Sequence, residues 1–276
     1  MEIETSNDPD GFVELELSGW EEVSTGYERH FGSLTRQSVD ALLQAAGVDG
    51  GKSLLDVCCG PGMIAEAAAA LGAEATGIDF SSAAVRIASS RVGAARFDVG
   101  DAQSLPYADD HFDAVVCGFG IIHLPHPNRA LAEMHRVLKP GGRLALSVWE
   151  MPSAANGFGL IYGSIKAHAN LDVDLPHGPD FFQFSDPDRL KGALLHTGFE
   201  KADIGNVPQF WEFDDAHGLV TGIMEGSVRA KALISAQSAD ARRAVENAID
   251  AGMQAWAGAD GRYRVPMPAL IGSATK

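Results

Sequence analysis

From Ser53 to Trp149, short continuous apolar runs alternate with stretches whose apolar residues recur every three or four positions. SLLDVC reads as a first buried strand, EATGID as a second, AARFDVG as a third, HFDAVVCGFG as a fourth and RLALSVW as a fifth. The intervening segments read as helices: Pro61 to Leu71 stopped by Gly72, a Ser81- or Ser82-capped stretch to Arg91, and His126 to Leu138 stopped by Lys139-Pro140-Gly141-Gly142. Strands apolar along their whole length belong to sheets covered on both faces. Strand–helix alternation then predicts an α/β fold with a doubly wound, mostly parallel sheet and right-handed crossovers.

Outside this block the rhythm differs. Residues 1 to 17 read as a polar arm, and Ser18 with Glu21 has capping-box spacing for a helix carrying Trp20, Val23, Tyr27 and Phe31 on one face. A second short helix is expected near Leu34 to Ala46, stopped by Gly47. After Trp149, MPSAANGFGLIYGSIKAHAN includes a helical stretch, SDPDRLKGALLHTGF a capped helix, and FEKADIGNVPQFWEF one strand. Residues 214 to 257 carry helical periodicity through Val245, Ala248, Ile249, Met253 and Trp256, and RYRVPMPALIG reads as a last strand. The expected organisation is an N-terminal arm and lid helices over 1–50 and a main domain over 51–276, with lid insertions near 150–184 and 214–260.

Composition narrows the function. A net charge of −16 argues against a nucleic-acid backbone as partner, which requires a concentrated basic surface. Cys58, Cys59 and Cys117 cannot build a disulfide framework and have no histidine at finger spacing, so a reducing, cytoplasmic location and no metal are expected. No apolar stretch reaches the length of a membrane span. The aromatic N-terminal arm is a candidate surface for pairing with another subunit.

Chemistry concentrates at LLDVCCGPG and ATGIDF. An apolar strand leads into the turn Gly60-Pro61-Gly62 and then a helix, whose amino end offers unpaired N–H groups to a nucleotide-like ligand. Asp79, at the tip of the next strand, stands where a ribose would lie. With Ala65 the turn also satisfies a dinucleotide fingerprint, so a nicotinamide-dependent oxidoreductase is one reading. Asp56 inside the first strand and Asp101 after the third favour a different adenosyl cofactor, since a carboxylate accepts well from an ammonium or an exocyclic amine.

The ordered set LLDVCCGPG, GIDFS, GDAQSLPYADDHFDAVV, FGIIHL and RVLKPGG resembles the class I S-adenosylmethionine-dependent methyltransferases, and within them the ubiquinone/menaquinone-biosynthesis-like group. The resemblance covers roughly residues 20 to 150, the scale of one domain. It implies a seven-stranded Rossmann-like sheet and S-adenosyl-L-methionine as cofactor. By it, Asp56, Gly60 and Gly62 surround the methionine part, with Cys58 in the same turn as a departure from smaller or apolar residues. Asp79 takes the ribose hydroxyls, Phe80 packs on the adenine, and Asp101 and Ala102 hold its amine. Gly118 and Phe119 line the sulfonium side, and Tyr27 matches a position that closes over the cofactor's carboxylate.

The expected reaction is methyl transfer to an oxygen, nitrogen or carbon atom of a small, apolar or natural-product acceptor. Where that acceptor must lose a proton, His123 in GFGIIHLPHP is the candidate base. Aromatic residues of the insertions, among them Phe158, Phe181, Phe210 and Trp211, either line an acceptor pocket or pack as core. A cofactor-binding enzyme that catalyses a cyclization is the remaining alternative.

Overall fold

The computed structural model describes residues 9–276. In chain order the elements are α1 (Pro9–Thr35), α2 (Val39–Ala45), β1 (Ser53–Val57), α3 (Met63–Ala70), β2 (Glu74–Asp79), α4 (Ser82–Arg91), β3 (Arg96–Val99), β4 (Phe112–Gly118), α5 (Pro127–Val137) and β5 (Leu138–Trp149). They continue with α6 (Gly157–His168), α7 (Pro187–Thr197), β6 (Glu200–Val207), β7 (Phe210–Phe213), α8 (Gly218–Gly226), α9 (Arg229–Ser235), α10 (Ala239–Gly252), β8 (Tyr263–Pro266) and β9 (Ala269–Thr275). Two compact units result. The sheet unit comprises Thr35–Glu150, Pro179–Val207 and Ala269–Lys276. The helical unit comprises the described residues up to Leu34 with Met151–Gly178 and Pro208–Pro268.

The sheet unit carries seven strands in the order β3-β2-β1-β4-β5-β9-β6. The first five are mutually parallel, and β9 runs antiparallel to both β5 and β6. Their burial explains the apolar runs: Leu54, Leu55, Val115, Val116, Leu144 and Leu146 are wholly buried. On one face Leu54, Ala114, Val116 and Ala145 pack with Leu42 and Leu43 of α2 and Ala65 and Ala68 of α3. The small residues of α3 let that helix approach the sheet closely, as close-packed interiors require.

Helix ends follow local chemistry. Ser81 accepts from the Ala84 amide at 3.2 Å, Asn156 from Gly159 at 2.9 Å and Asp186 from Arg189 at 2.9 Å, each satisfying an orphan first-turn donor. Gly198 ends α7 with φ +107°, a left-handed conformation that glycine adopts without a Cβ penalty.

Four expectations need correction. The arm reading of residues 1–17 lies outside the described residues up to Asp8, but from Pro9 the chain is already helical. Ser18 therefore caps nothing; its hydroxyl donates to the Glu14 carbonyl at 2.7 Å inside α1. The helix extends upstream because Phe12 and Glu16 are buried and Arg229 binds Glu16 at 2.6 Å. FEKADIGNVPQFWEF is not one strand: Pro208 lacks the N–H a continuing ladder needs, and β7 pairs instead with β8 in a separate two-stranded sheet. RYRVPMPALIG likewise divides into β8 and β9 at Met267-Pro268. Finally, β5 begins at Leu138 opposite Phe112, and its register shifts before Arg143 pairs with Ala114, so Lys139-Pro140-Gly141-Gly142 form an excursion within the strand.

Within the helical unit, Phe31 packs against Trp211 with ring centroids 4.3 Å apart. The Trp211 indole donates to the His30 carbonyl at 2.9 Å. Val245 and Ile249 of α10 and Met253, in the short helical turn that follows it, are wholly buried, as their spacing predicts. Among the described residues no helix is long and apolar enough to cross a membrane.

Candidate functional site

The chain runs outward from β1 through β2 to β3, then returns to place β4 on the other side of β1. That reversal opens a crevice at the carboxyl ends of β1 and β4, where ligands of open α/β sheets bind. Two non-glycine residues flank it in left-handed backbone, Cys58 and Phe119, both with φ +57°. Such conformations cost about 1–2 kcal/mol each for residues with a Cβ and persist where the surroundings over-determine them. For Phe119 the surroundings are visible. Its amide donates to the Ser147 carbonyl at 3.1 Å and to the Ser147 hydroxyl at 3.2 Å, and its ring stacks on Trp149 at 4.0 Å.

The glycine turn is built across strand tips. Cys59 N donates to the Ile78 carbonyl at 3.0 Å, and Gly100 N to the Asp79 carbonyl at 2.9 Å, so the ladders continue past the named strands. Gly62, with φ +82°, begins α3; a Cβ there would lie 3.0 Å from both Ala88 Cβ and the Phe97 ring, so backbone conformation and packing both demand glycine. A Cβ on Gly60 would meet nothing within 4 Å, which leaves open space beside the turn.

Three carboxylates stand at the ends of β1, β2 and β3, and Asp79 contacts the turn itself. Asp79 spans the turn: Gly60 N donates to its Oδ2 and Ser81 N to its Oδ1, each at 2.9 Å. Asp56 is completely buried; its Oδ2 accepts from Ala65 N at 3.1 Å, and its Oδ1 has no hydrogen-bond partner. Burial, opposed by the Ala65 hydrogen bond and reinforced by the Asp79 charge, pushes Asp56 from 3.8 up to about 8. Asp101 is exposed after β3, accepting from Gln103 N at 2.8 Å and from the Gln103 side-chain amide at 3.1 Å. Ala102 is buried and Phe80 half-buried beside them.

The cysteines take the role of small apolar residues. A hydrogen bond with Cys117 and then burial raise the Cys58 thiol well above its usual range, and burial does the same for Cys59. Neither is a thiolate nucleophile at neutral pH. His123 closes the short helical turn Ile121–His123 after β4; its amide donates to the Gly120 carbonyl at 3.0 Å and its ring meets Phe181 edge-on at 5.6 Å. Tyr27 lies in the helical unit, stacked on Phe31 at 5.3 Å and edge-on to Trp20 at 5.2 Å.

Asp56, Cys58, Gly60, Gly62, Asp79, Gly118 and Phe119 thus converge on one crevice within the sheet unit, with Asp101 and Ala102 on the loop after β3. Ser147, Trp149 and Gln103 escape the sequence reading. Ser147 carries a signal of the same kind as Asp56, a lone polar residue inside an apolar strand. Among the described residues no group of three or more His, Cys, Asp or Glu is placed to hold a metal ion.

The donor set fits an adenosyl amino acid. A buried carboxylate oxygen without a partner suits an ammonium, a strand-tip carboxylate suits vicinal hydroxyls, and a loop carboxylate suits an exocyclic amine. Fold and crevice together define a doubly wound α/β protein with an adenosyl-cofactor site. Residues 55–146 match the family model described as a methyltransferase domain. The demethylmenaquinone methyltransferase of Renibacterium salmoninarum is 38% identical over 119 residues, which cover 43% of this chain and 50% of that protein. The demethylmenaquinone methyltransferase of Staphylococcus epidermidis is 32% identical over 175 residues, 57% of this chain and 72% of that one. Among solved structures, the [4+2]-cyclase SpnF superposes with a TM-score of 0.54 at 24% identity, over 87% of this chain and 80% of that one. The chain belongs to the class I S-adenosylmethionine-dependent methyltransferases of the ubiquinone/menaquinone-biosynthesis type, and S-adenosylmethionine is its cofactor. It spans only about half the length of the Renibacterium relative.

Proposed function

We propose that this protein transfers a methyl group from S-adenosylmethionine to a small apolar acceptor. The observation that carries the reading is the crevice itself: a buried, partnerless carboxylate oxygen on β1, a turn-spanning carboxylate on β2 and open space at Gly60. When bound, the cofactor supplies an electrophilic methyl on a sulfonium. The chain's own residues then do three things. Asp56 and the α3 amino end hold the amino-acid portion, Asp79 holds the ribose, and Asp101 with Ala102 holds the base. Gly118 and Phe119 border the sulfonium side, and the Phe119–Trp149 stack keeps that wall apolar and dry. Alignment and water exclusion supply most of the acceleration such a displacement needs. By the family resemblance alone, Tyr27 of α1 is the candidate partner of the cofactor's carboxylate.

His123, at the carboxyl edge after β4, is the proposed base for an acceptor that must lose a proton. The names of the curated relatives favour a quinone of the demethylmenaquinone kind as acceptor. A second reading, a cyclization at the same site, is favoured by the fold shared with a protein named a [4+2]-cyclase. A panel of quinone, phenol and amine acceptors incubated with methyl-labelled cofactor separates the two. Methyl transfer predicts label in a product heavier by one methyl group; a product of unchanged mass supports cyclization. Replacing His123 by Ala is expected to lower kcat about 10²-fold or more, the usual contribution of a positioned base. Near-normal turnover retires that role.

A further inference from the structure

The loop between β3 and β4, which carries Asp101 and Ala102, has no strand neighbour for its second half, yet its backbone is held at several points by one side-chain pair on α5. Arg136 donates to the Leu105 carbonyl at 2.9 Å, to the Tyr107 carbonyl at 2.8 Å and to Asp109 Oδ1 at 2.7 Å. Its remaining donors go to Glu133, Nε at 2.8 Å and Nη2 at 2.7 Å. A guanidinium has five N–H donors in a fixed planar fork, and here each has an acceptor. Glu133 completes the arrangement by accepting from the Leu105 amide at 2.8 Å. Both backbone groups of Leu105 are thus satisfied by the Arg136–Glu133 pair, as a neighbouring strand would satisfy them.

Two further contacts make the loop stiff up to the ligand side. Tyr107 donates its hydroxyl to Asp98 of β3 at 2.9 Å. Gln103 donates to Asp101 and accepts from the His126 amide at 3.0 Å, which ties the loop to the start of α5. Leu105 lies four residues beyond Asp101 and is buried, so a shift of its backbone is transmitted to the carboxylate that faces the base. An exposed ion pair by itself contributes little. A fork engaged on two carbonyls and two carboxylates is different, because geometry rather than charge is what it supplies.

We propose that Arg136, held by Glu133, is a positioning residue for adenine recognition: it fixes Asp101 and Ala102 at hydrogen-bonding distance from the exocyclic amine, and so sets the site's selectivity for adenosyl over other purine nucleosides. The inference rests on the assignment of Asp101 and Ala102 to the base. Arg136 touches no ligand; it acts through the loop.

The test is calorimetric titration of the full chain with S-adenosylhomocysteine and with S-inosylhomocysteine, in which an oxo group replaces the amine. The wild-type chain prefers the adenosyl compound by about tenfold or more, the scale of a hydrogen bond to a charged group. Arg136→Lys keeps the charge but loses the fork, and narrows that preference to about threefold or less while both ligands still bind. A merely structural role weakens both ligands by one common factor; an unchanged ratio with weaker binding overturns the proposal. An unchanged ratio with unchanged binding overturns it too. Should Arg136→Lys fail to fold, Glu133→Gln gives the same readout with a smaller narrowing expected. A wild-type chain that binds S-adenosylhomocysteine but shows no preference overturns this inference alone. One that binds neither compound overturns it together with the cofactor assignment beneath it.

Discussion

Replacing Asp56 by Asn is expected to stabilise the ligand-free protein and weaken its hold on the cofactor. The carboxyl is completely buried, and its pKa rises from 3.8 to about 8 chiefly because burial disfavours the charged form. A carboxyl that binds its proton more tightly when folded contributes its full stability below about pH 3.8 and loses it as pH rises towards 8. Each pH unit in that window costs about 1.4 kcal/mol, so at pH 7 the wild-type fold is about 4 kcal/mol below its acid limit at this one site. Asn has nearly the same shape, can still accept from Ala65 N, and never ionises. Urea unfolding of both proteins from pH 5 to pH 9 reads the difference directly. The gap in unfolding free energy should widen by about 1.4 kcal/mol per unit up to about pH 8 and then level off. Comparing the two proteins cancels every other titrating group. A gap that stays constant across that range refutes the reasoning, since it means that the folded carboxyl is already ionised at pH 5. On the functional side, S-adenosylhomocysteine should bind the variant more weakly, because its ammonium then lacks an anionic partner.

Other substitutions probe the turn. Asp79→Asn converts an acceptor of two backbone amides into a group that must present an N–H to one of them, at a cost of about 1–3 kcal/mol measured by denaturant unfolding. S-adenosylhomocysteine affinity should fall with it, and unchanged stability would remove Asp79 from its bridging role. Gly120→Ala places a Cβ 2.2 Å from Cys58 Cβ and 3.2 Å from Cys117 Sγ, so the left-handed turn at Cys58 must move. Overpacking of this kind costs about 1–3 kcal/mol, and a melting temperature unaffected by the change would show that the turn yields freely.

Much of this architecture is legible in the chain because its signals are local. SLLDVC, EATGID and RLALSVW are apolar runs bounded by glycine or helix caps, and each becomes a strand of the sheet. The glycine turn and Asp79 announce a nucleotide site in residue type and spacing, while the choice of cofactor and the role of each carboxylate come from the resemblance of five ordered motifs. What escapes depends on partners far along the chain. Ser18 with Glu21 mimics a helix start, but Arg229, more than two hundred residues later, holds Glu16 and lets the helix begin earlier. Pro208 sits between two segments of alternating polar and apolar residues and divides them between two sheets, and their alternation does not show which sheet each joins. The left-handed backbone at Cys58 and Phe119 is equally hidden, because neither residue type announces it. Ser147, whose carbonyl and hydroxyl fix Phe119, is separated from it by 28 positions.

The proposed chemistry requires an adenosyl amino acid to occupy the crevice between β1 and β4. Isothermal titration of the purified chain with S-adenosylhomocysteine tests it most directly. Saturable binding at one site per chain is expected, accompanied by proton release at pH 7 as Asp56 ionises against the ligand's ammonium. No heat at millimolar ligand, or binding that takes up protons instead, contradicts it.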